Sequence, residues 1–96
     1  MAGYWIVKTG LIKDQDAARA YNDIWARVAP RFGAEILAGR GRAETVEGRH
    51  SPRQIIVRFE SFETAEACYK DPEYQSSIPL AALAADRELS IVEGVS

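Results

Sequence analysis

His50 is the only histidine of this sequence, and histidine is the side chain best suited to transfer protons near neutral pH. It lies in the segment Gly48–Pro52, whose glycine, serine and proline are typical of a turn. One histidine cannot build a zinc site, which needs three or four protein ligands, but it could act as a general base. A solvent-exposed loop histidine explains the same residue, so we favour that interpretation and keep His50 as the candidate catalytic residue.

Cys68 is the only cysteine, so the chain cannot form an internal disulfide. Phe62, Ala65, Cys68 and Tyr69 recur at helical spacing, which places the thiol on the apolar stripe of a predicted helix. A nucleophilic cysteine needs a basic neighbour that lowers its pKa, and none is evident in the sequence. We therefore interpret Cys68 as a buried, inert thiol.

Four arginines, Arg40, Arg42, Arg49 and Arg53, surround one predicted hairpin. The planar guanidinium fork suits carboxylate and phosphate groups, so an anionic ligand could bind here. Ion pairs with nearby glutamates on an exposed hairpin explain the same arginines without any ligand. The glycines between the arginines do not form a phosphate-binding loop, because no strand-to-helix turn surrounds them.

Large aromatic side chains form the last group that could carry chemistry: Trp5, Tyr21, Trp25, Tyr69 and Tyr74. We expect most of them in the core or in dimer contacts, but one that faces a cavity could hold a small aromatic or carbonyl compound. The break between helices at Lys70–Pro72 should leave part of the sheet uncovered, so we predict a pocket between the sheet and the second helix region. The predicted ligand-binding residues are Trp5, Tyr69, Tyr74, and Arg42 or Arg53.

Alternating and periodic apolar residues predict the elements that position these side chains. The predicted strands cover about Gly3–Thr9, Ala34–Glu47 with a glycine-containing irregularity, Arg53–Glu60 and Glu88–Gly94. One helix should run from Asp14 to about Ala29, and a second should begin at Ser61. A short helix should restart at Asp71, and Pro79 should break it.

The order β-α-β-β-α-β predicts an α+β, ferredoxin-like fold, a four-stranded antiparallel sheet with helices on one face. The 96 residues are enough for one such domain, spanning residues 1–96. The first strand carries apolar residues on both faces, Tyr4 and Ile6 on one and Trp5 and Val7 on the other. The face away from the helices therefore needs cover, and a second copy related by a two-fold axis is the simplest partner. We predict a homodimer.

Composition excludes several classes of function. The formal net charge of -2 offers no basic surface for nucleic acid or for an anionic membrane. The start of the chain has no signal-peptide pattern, and no apolar run is long enough to span a bilayer, so we expect a cytoplasmic protein. One histidine, one cysteine and the lack of a nucleotide-binding turn predict no metal and no coloured cofactor.

Several short motifs together resemble a known family. They are Tyr4–Val7, Val46–Gly48, Pro52–Arg53, Phe59–Phe62, Asp71–Gln75 and Ile91–Gly94. The chain resembles the small bacterial proteins of the domain-of-unknown-function 1330 family, in the dimeric α/β-barrel superfamily. The resemblance implies that two four-stranded sheets pack face to face as a barrel with the helices outside, and it implies no particular reaction.

The sequence departs from the family pattern in two places. The second strand of the family usually reads Arg-Gly-Gly, whereas this chain has Gly39-Arg40-Gly41. Such a one-residue shift moves a side chain to the other face of a strand unless a bulge absorbs it. An arginine is usual after the Pro79–Leu80 pair, whereas this chain has Ala81.

Three hypotheses about function remain open. The protein could be a cofactor-independent enzyme acting on a small organic molecule, a type of enzyme that occurs in the wider superfamily, although a fold does not fix a function. It could be a non-catalytic binding or sensing module with the same cavity, for a small organic ligand that could be anionic. It could be a structural dimer whose barrel is fully packed. A cavity of ~300 Å³ or more between sheet and helices would favour the first two and weaken the third.

Overall fold

The computed structural model describes residues 1–96 and contains four strands and three α-helices. The strands are β1 (Gly3–Thr9), β2 (Glu35–Ala38), β3 (Arg53–Phe59) and β4 (Arg87–Glu93). The helices are α1 (Gln15–Val28), α2 (Phe62–Lys70) and α3 (Pro72–Ala84), and a 3₁₀ turn covers Ala29–Phe32. The sheet has the order β2-β3-β1-β4 and every neighbouring pair is antiparallel. This is the predicted four-stranded ferredoxin-like arrangement.

The helix starts agree with the capping residues predicted from the sequence. The carboxylate of Asp14 accepts a hydrogen bond from the backbone N–H of Ala17 at 3.0 Å, and Ser61 does the same for Thr64 at 3.1 Å. Asp71 caps α3 by accepting from the backbone N–H of Tyr74 at 3.0 Å. Each cap satisfies a backbone donor that the first turn of a helix leaves free.

The prediction that Pro79 breaks the last helix is wrong, because α3 runs through it from Pro72 to Ala84. Proline lacks the N–H that would bond to the carbonyl of Gln75 four residues earlier. Both Pro79 and Gln75 are exposed, so water can satisfy that carbonyl and the helix continues.

The second strand is shorter than predicted, since it ends at Ala38 and residues 39–52 form a loop. The register between β2 and β3 already shifts between Ile36 and Ala38. Gly39 then adopts a φ of 135°, a conformation that side-chain-bearing residues rarely take. A bulge or close approach at these glycines was expected, but the return of the chain to a strand after Gly41 was not observed.

The register settles which face of the first strand meets the helices. Trp5 and Val7 are buried beneath the helices, whereas Tyr4 and Ile6 lie on the opposite face and are half-buried. The core is centred on Trp5, whose indole Nε1 donates a hydrogen bond to the carbonyl oxygen of Ala65 in α2 at 3.0 Å. This bond fixes the ring plane between the sheet and the helices.

Candidate functional site

A cavity of about 260 Å³ lies between the helix-facing side of the sheet and helices α1 and α3. Trp5, Val7, Ile55 and Val57 form its floor on β1 and β3. The helices cover it with Ala18, Tyr21, Asn22 and Trp25 of α1 and with Ala81 and Ala84 of α3.

One end of the cavity is apolar and aromatic. The rings of Trp5 and Trp25 lie 5.3 Å apart, centroid to centroid, with their planes tilted by 35°. Trp5 pairs with Val57 across the sheet, and both residues line the cavity. Trp5 is fully buried, whereas Trp25 is half-buried, so a flat apolar group could stack against the Trp25 indole.

The other end is cationic. Arg53 and Arg87 flank Thr9 in the same cross-strand row, on the helix-facing side of the sheet, and Arg40 approaches from the loop after β2. No aspartate or glutamate lines the cavity. None of the three arginines forms an ion pair, although six other cations of the chain do.

Gly39 explains how Arg40 reaches this end. A side chain at position 39 would bring its Cβ within 2.9 Å of the Ile55 side chain on β3. The missing side chain lets the loop backbone lie close to β3, and the φ of 135° turns the chain there. Arg40 follows at once and lines the cavity.

Two tyrosine hydroxyls lie beside the cationic end. The hydroxyls of Tyr21 and Tyr74 are 2.9 Å apart and share a hydrogen bond. The guanidinium of Arg87 lies over the Tyr21 ring, 5.0 Å from its centroid. Burial, followed by the neighbouring Tyr21, raises the pKa of Tyr74 well above its ordinary value, and Arg87 opposes that rise. Tyr74 is therefore a neutral phenol that can fix the position of the Tyr21 hydroxyl.

Small residues in the last turns of α3 leave the cavity open. Ala81, Ala84 and Ala85 all line it, and larger side chains there would fill it. The sequence shows these alanines directly, but only the unbroken course of α3 through Pro79 places them over the sheet. Arg87 was missed because the predicted last strand began at Glu88, whereas β4 begins at Arg87.

The structure brings together only part of the predicted ligand site. Trp5 and Arg53 both line the cavity. Tyr69 and Tyr74 lie behind Trp5, with ring centroids 6.1 Å and 5.1 Å from it, and do not line the cavity. Arg42 is exposed in the loop and lies outside the cavity.

The cavity also lies elsewhere than predicted. It lies beside α1 and the end of α3, whereas the break at Lys70–Pro72 was expected to leave the opening. Tyr69, Tyr74 and the fully buried Cys68 fill the space at that break, so no sheet is left uncovered there.

His50 and Cys68 are separate from the cavity. His50 is exposed in a broader open groove, together with Lys8, Lys13 and Arg49. Burial, and next the Asp71 carboxylate, raises the pKa of Cys68 from 9.0 to about 12, so its thiol is protonated near neutral pH. The structure contains no group of three His, Cys, Asp or Glu side chains that could hold a metal ion. None of its helices combines the length and apolar character that a membrane span requires.

Comparison with known families identifies this architecture. The family model described as "Domain of unknown function (DUF1330)" matches residues 2–95. The chain belongs to this family. The resemblance seen in the sequence is therefore confirmed over nearly the whole chain, and it brings no assigned reaction with it. A search of curated proteins gives no significant match.

Solved structures of low sequence identity share the fold. A protein of unknown function from Rhodopseudomonas palustris superposes with a TM-score of 0.75 at 17% identity, covering 99% of this chain and 83% of the other. A dimeric ferredoxin-like protein of unknown function from Thermobifida fusca gives 0.62 at 9% identity, covering 98% and 92%. A cofactor-independent oxygenase from Streptomyces nogalater gives 0.55 at 11% identity, covering 99% and 94%. These matches show a fold shared by proteins of different kinds.

Proposed function

We propose that this DUF1330 protein is a homodimer that binds one small organic molecule in the cavity of each protomer. The cavity between β1, β3, α1 and α3 is the observation that carries this proposal. Its aromatic floor and the few polar groups at one end are the usual composition of a small-molecule site.

The volume limits the size of the ligand. Ligand pockets for drug-sized molecules hold about 300 Å³ or more, whereas an apolar cavity of roughly 150 Å³ accommodates benzene. The 260 Å³ cavity therefore suits a single-ring compound with one or two substituents. This volume is slightly below the ~300 Å³ expected of a ligand pocket, so it does not by itself exclude the structural alternative of a fully packed barrel.

The open face of the sheet supports the homodimer. Tyr4, Ile6, Ile56 and Val92 lie on the face away from the helices, and each is partly or largely exposed in the single chain. The backbone of the protomer is only 18 Å thick, as expected for one sheet and one helix layer. A second copy would cover this apolar face, and relatives of the same fold are described as dimeric.

Catalysis without a cofactor is a second candidate function for the same cavity. The cavity-lining Tyr21 hydroxyl, held by Tyr74 and next to Arg87, could donate a proton or a hydrogen bond to a bound carbonyl. The oxygenase of the same fold from Streptomyces nogalater shows that the fold can host such chemistry. Turnover of a bound ligand would distinguish this enzyme from a binding or sensing module.

A cavity-filling substitution tests the binding proposal. Benzoate, benzamide and benzyl alcohol serve as single-ring probes, and isothermal titration calorimetry measures their affinities. Ala18→Leu would place a larger side chain in the cavity, and Ala26→Leu makes the same change on the exposed side of α1. We expect at least one probe to bind the wild type and the Ala26→Leu variant, and to bind Ala18→Leu at least tenfold more weakly.

Two results would contradict binding in this cavity. One is that no probe binds the wild type at millimolar concentration. The other is that a probe binds Ala18→Leu as tightly as Ala26→Leu, which would place the probe elsewhere on the protein. Thermal unfolding of both variants provides the control that each is folded.

A further inference from the structure

We infer that the ligand of this cavity is a small aromatic carboxylate, with its acid group between Arg53 and Arg87 and its ring against Trp25, which covers the buried Trp5. This inference rests on the proposed function, because it names the chemical class of the molecule that the cavity binds. It is carried by the charge of the cavity, by the register of three strands and by the separation of polar and apolar ends.

The charge of the cavity opposes that of the chain. The protein has 14 acidic residues and a formal net charge of -2, yet the cavity is lined by three arginines and by no acidic residue. Ion pairs engage other cations, among them Arg27 and Arg31, which bind Glu73. The three cavity arginines form no ion pair, so their charge is available for an anionic ligand.

The sheet register places two of these arginines as a clamp. Arg53 pairs with Thr9 on one side and Arg87 pairs with Thr9 on the other, so all three residues share one row and one face. Neighbouring strands are about 4.8 Å apart, which separates the two arginine Cα atoms by about 10 Å. Side chains of this length can converge from that distance on one acid group. The stacking of Arg87 on the Tyr21 ring reduces the freedom of one of them.

The clamp fits a carboxylate better than a neutral group or a bare inorganic anion. A carboxylate is planar and has two oxygens, so each can accept hydrogen bonds from one guanidinium fork. An inorganic anion would leave the apolar end of the cavity, where the half-buried Trp25 lies against Trp5, without a partner. The aromatic end therefore requires that the anion carry an apolar body.

The distance along β1 sets the length of that body. Thr9 and Trp5 are four residues apart on one face, which corresponds to about 13 Å along the strand. The arginine side chains occupy part of this length, and one ring directly attached to a carboxyl group fits the remainder. Val7 and Ile55 form the apolar floor between the two ends.

Benzoate and benzamide are the probes that test this inference, because they have nearly the same shape and differ in charge. Calorimetry at pH 7 and low salt should give an affinity for benzoate at least tenfold higher than for benzamide. Arg53→Gln should weaken benzoate binding by roughly tenfold or more and leave benzamide binding nearly unchanged. Arg42→Gln removes an arginine that lies outside the cavity, so it should change neither affinity.

The outcomes separate this inference from the proposal on which it rests. Equal binding of benzoate and benzamide, with both lost in Ala18→Leu, would refute a carboxylate ligand and leave the cavity as a binding site for neutral molecules. Benzoate binding that falls equally in Arg42→Gln and Arg53→Gln would also refute it. The loss would then come from the changed net charge of the protein and not from a contact with Arg53. Arg53 is exposed, so Arg53→Gln should fold normally, and thermal unfolding checks this.

Discussion

The hydrogen-bonded hydroxyls of Tyr21 and Tyr74 have different positions relative to the cavity. Tyr21 is half-buried and lines the cavity, whereas Tyr74 is fully buried behind it. Removing either hydroxyl breaks the same 2.9 Å bond, so the two variants form a matched pair. A ligand should distinguish them, because it can reach only the Tyr21 hydroxyl.

We predict that Tyr74→Phe and Tyr21→Phe each lower the free energy of unfolding by about 0.5–1.5 kcal/mol, the usual contribution of one hydrogen bond. We expect Tyr21→Phe to weaken benzoate binding more than Tyr74→Phe does. Urea denaturation and calorimetry measure the two effects. Equal losses of affinity in both variants would show that the ligand does not touch the Tyr21 hydroxyl.

The buried thiol of Cys68 makes stability depend on pH in alkaline solution. Its pKa is raised from 9.0 to about 12, so the unfolded chain loses the proton first as the pH rises. The stabilising effect of the buried neutral thiol is complete below pH 9 and is lost progressively between about 9 and 12. Burial also raises the pKa of Tyr74 above its ordinary value of 10.0, so this phenol likewise makes stability fall as the pH rises above 10.0.

The predicted outcome is that the urea midpoint is constant from pH 7 to 8.5 and falls from pH 9 to 10 in the wild type. In Cys68→Ala the fall over this interval should be smaller, because only the remaining groups titrate. Identical slopes in the two proteins would mean that Cys68 ionises with equal ease in the folded and unfolded chain.

At the level of single residues, the sequence indicated part of the cavity lining. Trp5 and Arg53 are the predicted residues that line it, and both are recognisable by type, as an aromatic strand residue and an arginine next to a strand. Arg87 was missed because the predicted last strand began at Glu88, and the face that Trp5 takes could not be assigned because both faces of β1 are apolar. Tyr69 and Tyr74 were placed in the site because helix contacts cannot be assigned without the packing of α2 and α3.

The loop after β2 depends on Gly39 to bring Arg40 to the cavity. Gly39→Ala would force an L residue into a φ of 135° and bring its Cβ within 2.9 Å of Ile55. We predict a loss of about 1–3 kcal/mol in the free energy of unfolding, together with weaker benzoate binding. Thermal or urea unfolding measures the first effect and calorimetry the second.

Gly41→Ala is the matched control, since a Cβ at position 41 meets no atom within 4 Å and its φ is not in the positive region. This substitution should be neutral or slightly stabilising, because alanine reduces the freedom of the unfolded chain. A similar loss of stability in both variants would show that the loop tolerates no side chain at all, and the role assigned to Gly39 would be wrong.

Among the secondary-structure elements, the helices were more predictable than the second strand. Asp14, Ser61 and Asp71 mark helix starts by local chemistry that the sequence displays directly. The end of β2 at Ala38 and the passage of α3 through Pro79 depend on neighbours distant in sequence and on solvent access. The cavity was expected beside α2 because the break at Lys70–Pro72 was expected to uncover the sheet, but the side chains of Tyr69, Tyr74 and Cys68 fill that space.

The whole molecule is a two-layer protomer with one sheet face left open, and Tyr4, Ile6, Ile56 and Val92 form an apolar patch on that face. Ile6 and Ile56 pair across β1 and β3 at the centre of this face. The proposed homodimer would bury them against the second copy, in an interface that should exceed about 1,000 Å² in total. The helices and the cavity would then face outward.

We predict that Ile56→Glu shifts the protein from dimer to monomer in sedimentation velocity at micromolar concentration. Ala26→Glu, on the exposed side of α1, should leave the dimer intact. A wild type that sediments as a stable monomer would overturn the proposed assembly, and so would a dimer that survives Ile56→Glu unchanged.

A crystal structure with 4-bromobenzoate, with anomalous data collected at the bromine edge, shows whether an aromatic carboxylate binds in the cavity. We expect one bromine peak in each protomer, beside Trp25, with the carboxylate between Arg53 and Arg87. A cavity without bromine, or bromine bound only at another surface, would contradict this expectation.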